Sequence, residues 1–484
     1  MHRLPAPELL TTLVHAALVV GLGLRIIAKR RPTGVGLAWI TLVAVLPLLG
    51  AMLYLMVGEL WLAGGRVRRA KQIGPAFRRR MAELVQQAPA ELENLSTLSR
   101  TLDAYATRGA QMPTLGGNDV TIYNTAESAF GSLIDDINAA EHRVYLLFYI
   151  WSPGGLADAV GEAVIRAARR GVDCRVLLDS YGSNTFFRSP WPRRFAEAGV
   201  RTAEALKVNR LRLFMHRLDL RNHRKLAAID GKVGYCGSQN IADPAFFKAN
   251  AGVGPWIDLM CRVDGPGGEA IELTFQHDWC IEADRKDPTV FVDIHPEPYS
   301  AGSTRVQLIN SGPAQSPRAI EDMLLTMVFG CRENLTLTTP YFIPTEAMER
   351  ALQAAAIRGV DVRVVVPRRN DSRLVALASR SYYGDLLETG VQIWEYEDGL
   401  LHAKTATADG HVAMVGSANM DRRSFAINYE SGLFIYDEAF TGELRRLQND
   451  YIRRSIKIER RDWSGRPMAR RIVENAMQLF APIL

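Results

Sequence analysis

The sequence predicts an α/β protein in which two similar α-β-α halves follow an N-terminal membrane anchor of two helices. A motif of the form H-x-K-x-x-x-x-D occurs twice, and each copy is followed by Gly-Ser-x-Asn at the same spacing. Predicted strands alternate with predicted helices around both copies, which is typical of α/β folds. A repeat of this kind indicates an internal duplication.

The membrane anchor is predicted over residues 1–58. Residues 9–27 are almost wholly apolar and residues 35–57 form a second apolar run, so each could cross a hydrocarbon core of about 30 Å. The first run could instead be a signal peptide, but no small-x-small cleavage pattern follows it. Two spans would return the chain to the side of Met1.

Basic residues near the two runs bear on the orientation of the anchor. They are Arg25, Lys29, Arg30 and Arg31 in the loop between the runs, and Arg3, Arg66, Arg68, Arg69 and Lys71 on the other side. By the positive-inside rule, this five-to-four count favours a cytoplasmic position for the globular part.

Three further parts follow the anchor: a connector over 59–119, a first half over 120–300 and a second half over 301–484. The connector is basic and then helical in pattern, and its arginines would contact lipid headgroups or form a solvated face. The net charge of +6 favours anionic partners, and nucleic acid and an anionic membrane surface both satisfy that. The five cysteines include no C-x-x-C pair, so neither a zinc site nor a disulfide framework is indicated.

The two halves repeat the same order of predicted elements. The order is helix, strand, helix, strand, over 126–140, 144–151, 156–170 and 173–178 in the first half and 319–331, 335–339, 345–358 and 361–366 in the second. This alternation predicts parallel sheets covered by helices. The first half has extra residues around Phe214, Met215 and His216, which would line a substrate channel or form an ordinary loop.

The duplicated motif predicts a strand that carries two reactive side chains on one face. His223 and Lys225 in the first copy, like His402 and Lys404 in the second, are two residues apart, and residues at this spacing on a strand share a face. Asp-Gly between two apolar runs predicts hairpins over 223–229 and 232–236, and over 402–408 and 411–415. Asp230 and Asp409 are therefore expected to serve the turns.

The Gly-Ser-x-Asn segment after each hairpin predicts donors for an anionic ligand. Its side chains are Ser238 and Asn240 in the first copy and Ser417 and Asn419 in the second. Hydroxyl, amide and backbone N–H donors beside an ammonium group and an imidazole suit a phosphate.

These paired motifs resemble the phospholipase D superfamily and, within it, the bacterial cardiolipin synthases. The closer resemblance depends on three segments and the second apolar run: Arg30-Arg31-Pro32-Thr33-Gly34, Thr339-Pro340-Tyr341-Phe342-Ile343-Pro344, and Trp463-Ser464-Gly465-Arg466-Pro467 leading to Pro482-Ile483-Leu484. The resemblance implies two phospholipase D-like halves with the active site between them. It also implies a protein of the bacterial cell (inner) membrane.

The resemblance further implies a two-step transfer through a phosphohistidine, without a metal ion or another cofactor. The residues of the family motif are His223, Lys225, Asp230, His402, Lys404 and Asp409, with His223 as the expected nucleophile. The chemistry agrees, because attack on a phosphodiester needs a nucleophile, a proton donor for the leaving oxygen and cations around the remaining oxygens.

An acid is expected to hold the far nitrogen of each imidazole, because a nucleophilic imidazole needs a fixed tautomer. Glu430 follows His402 by 28 residues, at the position that the family uses. The first half has no acid at the matching position 251, and Asp258, after a loop with two glycines, is the expected equivalent.

Three functions compete at this point. The first is a cardiolipin synthase that joins two phosphatidylglycerols and releases glycerol. The second is a phospholipase D, nuclease or phosphatidyltransferase that uses water or another alcohol as acceptor. The third is an inactive binder of anionic lipid, which is disfavoured because both copies retain every reactive residue. The resemblance favours the first, with phosphatidylglycerol and anionic membrane lipid as partners and no nucleic acid.

The C-terminal tail is predicted to be a short amphipathic helix over 466–480. Its apolar residues are Met468, Ile472, Ala476, Met477, Leu479 and Phe480, interspersed with Arg470, Arg471 and Glu474. It would pack on the core of the second half or lie in the headgroup layer.

Overall fold

A computed structural model describes residues 6–29, 33–59, 64–207, 219–283, 299–313 and 316–478. The helices are α1 (Ala6–Ala28), α2 (Thr33–Val45), α3 (Pro47–Leu53), α4 (Gly64–Gln87), α5 (Thr97–Tyr105), α6 (Ala126–Ala139), α7 (Leu156–Arg169), α8 (Asn184–Phe187), α9 (Trp191–Glu197), α10 (Pro266–Glu282), α11 (Ala319–Gly330), α12 (Glu346–Ile357), α13 (Arg373–Ser381), α14 (Tyr383–Thr389), α15 (Arg422–Ala426), α16 (Glu438–Arg453), α17 (Arg460–Ser464) and α18 (Met468–Gln478).

The strands are β1 (Leu115–Tyr123), β2 (Arg143–Phe148), β3 (Asp173–Asp179), β4 (Arg201–Ala205), β5 (Lys225–Ile229), β6 (Val233–Gly237), β7 (Trp256–Ile257), β8 (Met260–Asp264), β9 (Thr304–Ser311), β10 (Asn334–Thr338), β11 (Phe342–Ile343), β12 (Asp361–Pro367), β13 (Gln392–Tyr396), β14 (Leu400–Leu401), β15 (Thr405–Ala408), β16 (Val412–Gly416), β17 (Met420–Asp421), β18 (Glu430–Tyr436) and β19 (Ser455–Lys457). Several sequence predictions concern residues outside the described ranges: Arg30–Pro32, Phe214–His216, Leu479, Phe480 and Pro482–Leu484.

The chain divides into two compact units. The anchor unit takes in the described residues of 1–67 and 208–220, and the main unit takes in those of 68–207 and 221–484. In the anchor unit, α1 contains the one helical stretch of the described chain that is long and apolar enough to cross a membrane, Leu9–Ala28. An N-terminal apolar helix is therefore present, as predicted.

The second apolar run differs from the single spanning helix predicted for it. Its helix ends at Val45, and Leu46 has a non-helical backbone before Pro47 starts α3. Proline lacks an N–H and disfavours helical backbone at the residue before it, so the run is broken there. The 13 residues of α2 reach only about 20 Å, which is shorter than a hydrocarbon core.

After this break the chain turns back along α2. The rings of Trp39 in α2 and Tyr54, in a π-helical turn after α3, lie 5.4 Å apart. The guanidinium of Arg25, near the end of α1, then pairs with the Glu59 carboxylate at 2.7 Å, and the Tyr54 hydroxyl donates to the same carboxylate. The end of the second run thus returns to the end of the first helix.

The main unit is organised around a mixed sheet of 15 strands. Its first half has the order β1-β8-β6-β5-β2-β3-β4 and its second half the order β9-β18-β16-β15-β10-β12-β13-β19. Antiparallel pairing of β1 with β9 joins the two halves. The parallel sheets predicted from the sequence are confined to β2-β3-β4 and β10-β12-β13, because the motif hairpins are necessarily antiparallel.

Local sequence explains why the paired helices form where they do. Thr125 and Thr345 cap α6 and α12 by accepting a hydrogen bond from the backbone N–H three residues on. The first half also contains α10, which is buried almost throughout and packs across β5, β6 and β9. Its position allows a polar side chain from α10 to support the residues around the first motif.

Candidate active site

The two motif hairpins form as predicted, and their Asp residues lie in the turns. Asp230 and Asp409 both have positive φ, 53° and 51°, which aspartate tolerates and which a type I′ turn before glycine requires. The Asp230 carboxylate accepts hydrogen bonds from the backbone N–H groups of Glu141, His142 and Arg143.

Asp409 accepts the equivalent three bonds, from the N–H groups of residues 332–334. Seven residues of extended chain separate each Asp from its motif His, roughly 20 Å. Asp230 and Asp409 therefore do not belong with the catalytic residues, as the family motif had implied. Each of them holds the start of a neighbouring strand.

The two imidazoles are held at the other ends of these hairpins by backbone contacts between the halves. The His223 N–H donates to the Tyr429 carbonyl, and the His402 N–H donates to the Ile257 carbonyl. Each motif lysine is fully buried and donates to the carbonyl of its own histidine, Lys225 at 2.5 Å and Lys404 at 2.5 Å. The predicted pairing of imidazole and ammonium is present in both copies.

Each imidazole is paired with an acid from the opposite half. His223 Nδ1 lies 3.0 Å from both carboxylate oxygens of Glu430, and His402 Nδ1 lies 2.6 Å from Asp258 Oδ1. Both predicted acids thus contact a histidine. The sequence count pointed to Glu430 as the partner of His402. The structure exchanges the partners, because the residues just before each acid pair with the opposite half: Tyr429 with Asn222, and β7 with β14.

The two motif serines support these acids and do not line the cavity as predicted. Ser238 Oγ donates to Asp258 at 2.5 Å, and Ser417 Oγ donates to Glu430. Both serines are almost completely buried behind the carboxylates. A phosphate would therefore meet the imidazoles, and the serines would act through the acids.

Asn240 and Asn419 line the cavity, where both could contact a substrate. Asn240 Oδ1 accepts from the Ile150 N–H at 3.1 Å, which turns its amide nitrogen away from that backbone group. Asn419 Oδ1 is buried and has no hydrogen-bond partner within the described residues.

Burial and neighbouring charges set the protonation of the site. Burial lowers the pKa of His223 and His402 to about 4, with the lysines acting in the same direction and the paired acids opposing it. Burial also lowers the pKa of Lys225 to about 8 and that of Lys404 to about 7. Burial alone would raise the pKa of Asp258 and Glu430, but the paired imidazoles and nearby lysines hold both below the ordinary value.

Because of these pKa values both imidazoles are uncharged at neutral pH, and the carboxylate beside each Nδ1 fixes the tautomer. A neutral imidazole facing a carboxylate through Nδ1 carries its proton there, so the Nε2 lone pair is available to a substrate.

A cavity of about 300 Å³ contains both imidazoles. It is lined by several residues that the sequence analysis did not single out as site residues: Tyr149, Tyr181, Arg221, Lys248, Trp256, Tyr341, Asp421 and Arg423. The Tyr149 ring lies 4.8 Å from His223, and the Trp256 ring lies 4.5 Å from His402. Aromatic walls of this kind exclude water from the reacting atoms.

Arg221 could have been found from sequence, because it precedes His223 by two residues. Residues at this spacing in extended chain share a face, and both line the cavity. Asn222, between them, faces the other way and donates to Asp278 of α10 at 2.9 Å, as does Arg224 at 2.5 Å. The helix thereby fixes the segment that carries the first imidazole. Tyr149 and Lys248 gave no comparable signal, since tertiary folding alone brings them to the cavity.

This arrangement suits displacement at a phosphodiester. Two neutral imidazoles line one cavity, and two buried, partly charged lysines lie close enough to act electrostatically on both of them. This set supplies a nucleophile, a proton carrier and positive charge. No group of three or more metal-ligating side chains occurs among the described residues.

Comparison with known proteins gives matches along nearly the whole chain. The profile described as "Cardiolipin synthase, PLD-like domain" matches residues 133–258 and 324–451, and a "Phospholipase_D-nuclease N-terminal" profile matches 17–59. Cardiolipin synthase A of Serratia proteamaculans is 43% identical over 96% of both chains. Cardiolipin synthase A of Yersinia pseudotuberculosis is 42% identical over the same shares.

Among solved structures, the phosphatidylserine synthase of Haemophilus influenzae has a TM-score of 0.58 and 13% identity, over 80% of this chain and 98% of its own. At this identity the likeness concerns the fold alone.

Proposed function

Because the chain belongs to the cardiolipin synthase family of phospholipase D-type phosphatidyltransferases, we propose that it joins two phosphatidylglycerols into cardiolipin and releases glycerol. The observation that carries the proposal is the pair of imidazoles in one cavity, each held through Nδ1 by an acid. Such a pair can serve as nucleophile on one side of a phosphorus atom and as proton carrier on the other.

In the first step, His223 Nε2 attacks the phosphorus of one phosphatidylglycerol, and the bond from phosphorus to the glycerol oxygen breaks. Protonated His402 gives its proton to that oxygen, and glycerol leaves. His223 keeps its Nδ1 proton, so the imidazole ring of the phosphohistidine is positively charged and is stabilised by the Glu430 carboxylate, 3.0 Å from Nδ1. Lys225 and Lys404 would hold the charged phosphoryl oxygens.

In the second step, the glycerol hydroxyl of another phosphatidylglycerol gives its proton to neutral His402 and attacks the phosphorus. The bond from phosphorus to His223 Nε2 breaks, cardiolipin forms and His223 returns to its neutral state. His402 is neutral in the free site because of its lowered pKa. The negative charge of a bound phosphodiester raises that pKa, so binding itself prepares the proton donor.

Products formed from one lipid test this proposal. The purified full chain, in vesicles that contain phosphatidylglycerol as the only substrate, should give cardiolipin and glycerol in equal amounts. Phosphatidic acid without cardiolipin would instead support the alternative, a membrane-bound phospholipase D that uses water as acceptor. Transfer to an added alcohol in preference to phosphatidylglycerol would support the other alternative, a phosphatidyltransferase with a different acceptor.

Anionic membrane lipid is the proposed environment, and the bacterial inner membrane is the proposed location. The two-span prediction leaves the basic residues nearly balanced, five against four. If the second run turns back at Pro47, the chain leaves the membrane on the side where it entered the run, beside Arg25. Eight of these nine basic residues, all except Arg3, are then on the side of the main unit. The positive-inside rule then favours a cytoplasmic main unit and an N-terminus on the opposite side.

Labelling of single introduced cysteines separates the two topologies, since the five native cysteines are buried. A membrane-impermeant maleimide added outside spheroplasts should modify Leu4→Cys and leave Ile357→Cys, at an exposed position of α12, unmodified. If both positions are protected, two spans and a cytoplasmic main unit are favoured.

A further inference from the structure

Three apolar residues of the C-terminal helix α18 face outward, whereas Met477 near its end packs against the core of the main unit. Met468, Ile472 and Val473 are 72%, 58% and 48% exposed, whereas Glu474 is 1% exposed. Helices on soluble proteins bury their apolar face and expose their charged one. The three exposed residues and Glu474 have the opposite arrangement, and this predicts an apolar partner for the outer face of α18.

Ion pairs account for the inward position of Glu474. Its carboxylate pairs with Arg466, and with Arg470 at 3.2 Å. Arg466 in turn lies over the Trp463 ring, with its guanidinium carbon 3.5 Å from the centroid. These contacts tie the acidic side of α18 to Trp463 of α17, whose ring packs 4.9 Å from Tyr383 of α14, and they set the orientation of the apolar side.

Helix α18 is connected to the cavity with the imidazoles by way of α13. The helix packs along α13, whose residue Val375 lines that cavity together with Ser372, the residue that caps α13. Leu374, between them, is 52% exposed. Helix α13 thus presents an exposed apolar side chain between two residues that line the cavity.

Positive charge flanks the apolar residues. Arg470 and Arg471 are exposed on α18, and Arg373 is exposed beside Leu374. An exposed apolar face with arginines at its margins is the pattern of helices that lie in the headgroup layer of anionic membranes.

We propose that Leu374, Met468, Ile472 and Val473 form a docking surface that places the main unit on an anionic lipid bilayer, with the cavity beside it. The surface does not depend on the identity of the reaction. A lipid headgroup could then enter the cavity while its acyl chains stay in the bilayer.

Depth of insertion tests this surface directly in the full chain. Ile472→Cys carries an environment-sensitive fluorophore, and Ile357→Cys, 71% exposed on α12, is the matched control. The five native cysteines are buried, so the introduced thiol is the reactive one.

In phosphatidylglycerol vesicles whose acyl chains carry bromine, quenching at 472 should exceed that at 357 at least about twofold. Equal quenching at both positions would overturn the proposal. Self-quenching at 472 that rises with protein concentration would overturn it as well, because a second copy would then cover the helix.

Turnover gives an independent measurement. In the double variant Ile472→Asp, Val473→Asp, the ratio of turnover on bilayer phosphatidylglycerol to turnover on a dispersed short-chain analogue should fall about tenfold. Ile357→Asp should leave the ratio unchanged. A parallel loss on both substrates, with a lower melting temperature, would show that α18 only stabilises the main unit. If neither lipid is a substrate while quenching at 472 persists, the reaction is wrong and the docking surface stands.

Discussion

At the scale of single residues, the two imidazoles are alike in contact and in pKa, so their roles must differ through the substrate. With His223 as nucleophile, His223→Asn should abolish the covalent phosphatidyl-enzyme. His402→Asn should still form it from a substrate with a good leaving group, because no proton donor is then needed. Trapping of radiolabelled lipid on the quenched protein measures both, and label on residue 402 alone would reverse the assignment.

The exchange of acids between the halves makes a second prediction. Glu430→Gln should slow formation of the covalent intermediate even with a good leaving group, because the carboxylate stabilises the His223 cation. Asp258→Asn should slow it only with glycerol as leaving group, since Asp258 supports the proton donor. Each loss should be at least about tenfold, comparable to that of a buried charged hydrogen bond. The opposite pattern in single-turnover kinetics would show that His402 is the nucleophile.

The lowered pKa values of the lysines predict how anion binding depends on pH. Lys404 and Lys225 lose their charge as the pH rises through about 7 and about 8 in the free site. The affinity for a short-chain phosphodiester should therefore fall over this range, whereas ordinary lysines would hold it constant to about pH 10. Calorimetric titration between pH 6 and about 9 measures this, and a constant affinity would contradict the burial of these charges.

The sequence was sufficient to single out the histidines and lysines that the structure brings together, because both recur at fixed spacings, whereas the acids do not. It was insufficient for their partners. Spacing along the chain associated Glu430 with His402, and only the junction of the two halves shows that the acid reaches His223. The serines were expected to contact the substrate, but each one donates to an acid instead. Spacing along the chain does not show that the acids lie between the serines and the imidazoles.

At the scale of elements, the two turn aspartates of the motif hairpins stabilise the fold by accepting backbone hydrogen bonds. Asp409→Ala should lower stability by about 2–4 kcal/mol, because three backbone N–H groups lose an acceptor and alanine disfavours the positive φ. Asp409→Asn keeps one side-chain acceptor and tolerates the backbone, so it should cost less. Urea unfolding measures both, and kcat per folded molecule should fall less than about threefold.

Apolar length predicted α1 correctly and α2 incorrectly. By composition the second run is a mostly apolar stretch of 23 residues, whereas Pro47 interrupts the hydrogen-bond ladder within it. The strands and helices of the halves were predicted closely, because the apolar positions in them repeat with a clear period. The pairing of β1 with β9 has no local signal.

At the scale of the whole molecule, the two halves are parts of one sheet and share one site. Residues 68–300 and 301–484, purified as separate chains, should each lack measurable phosphatidyl transfer, because each histidine is then without its acid. Mixing the two fragments should restore activity in proportion to the fraction that associates through β1 and β9. Activity in either fragment alone, measured with labelled phosphatidylglycerol, would contradict a site shared between the halves.

The exchanged acids also bear on how such a chain can evolve. After a gene duplication, each copy is ordinarily free to drift or to be lost while the other preserves the trait. Here each copy supplies the acid for the histidine of the other copy, because Glu430 contacts His223 and Asp258 contacts His402. Neither copy is redundant, so a substitution that is tolerated in one repeat must also be compatible with the histidine of the other.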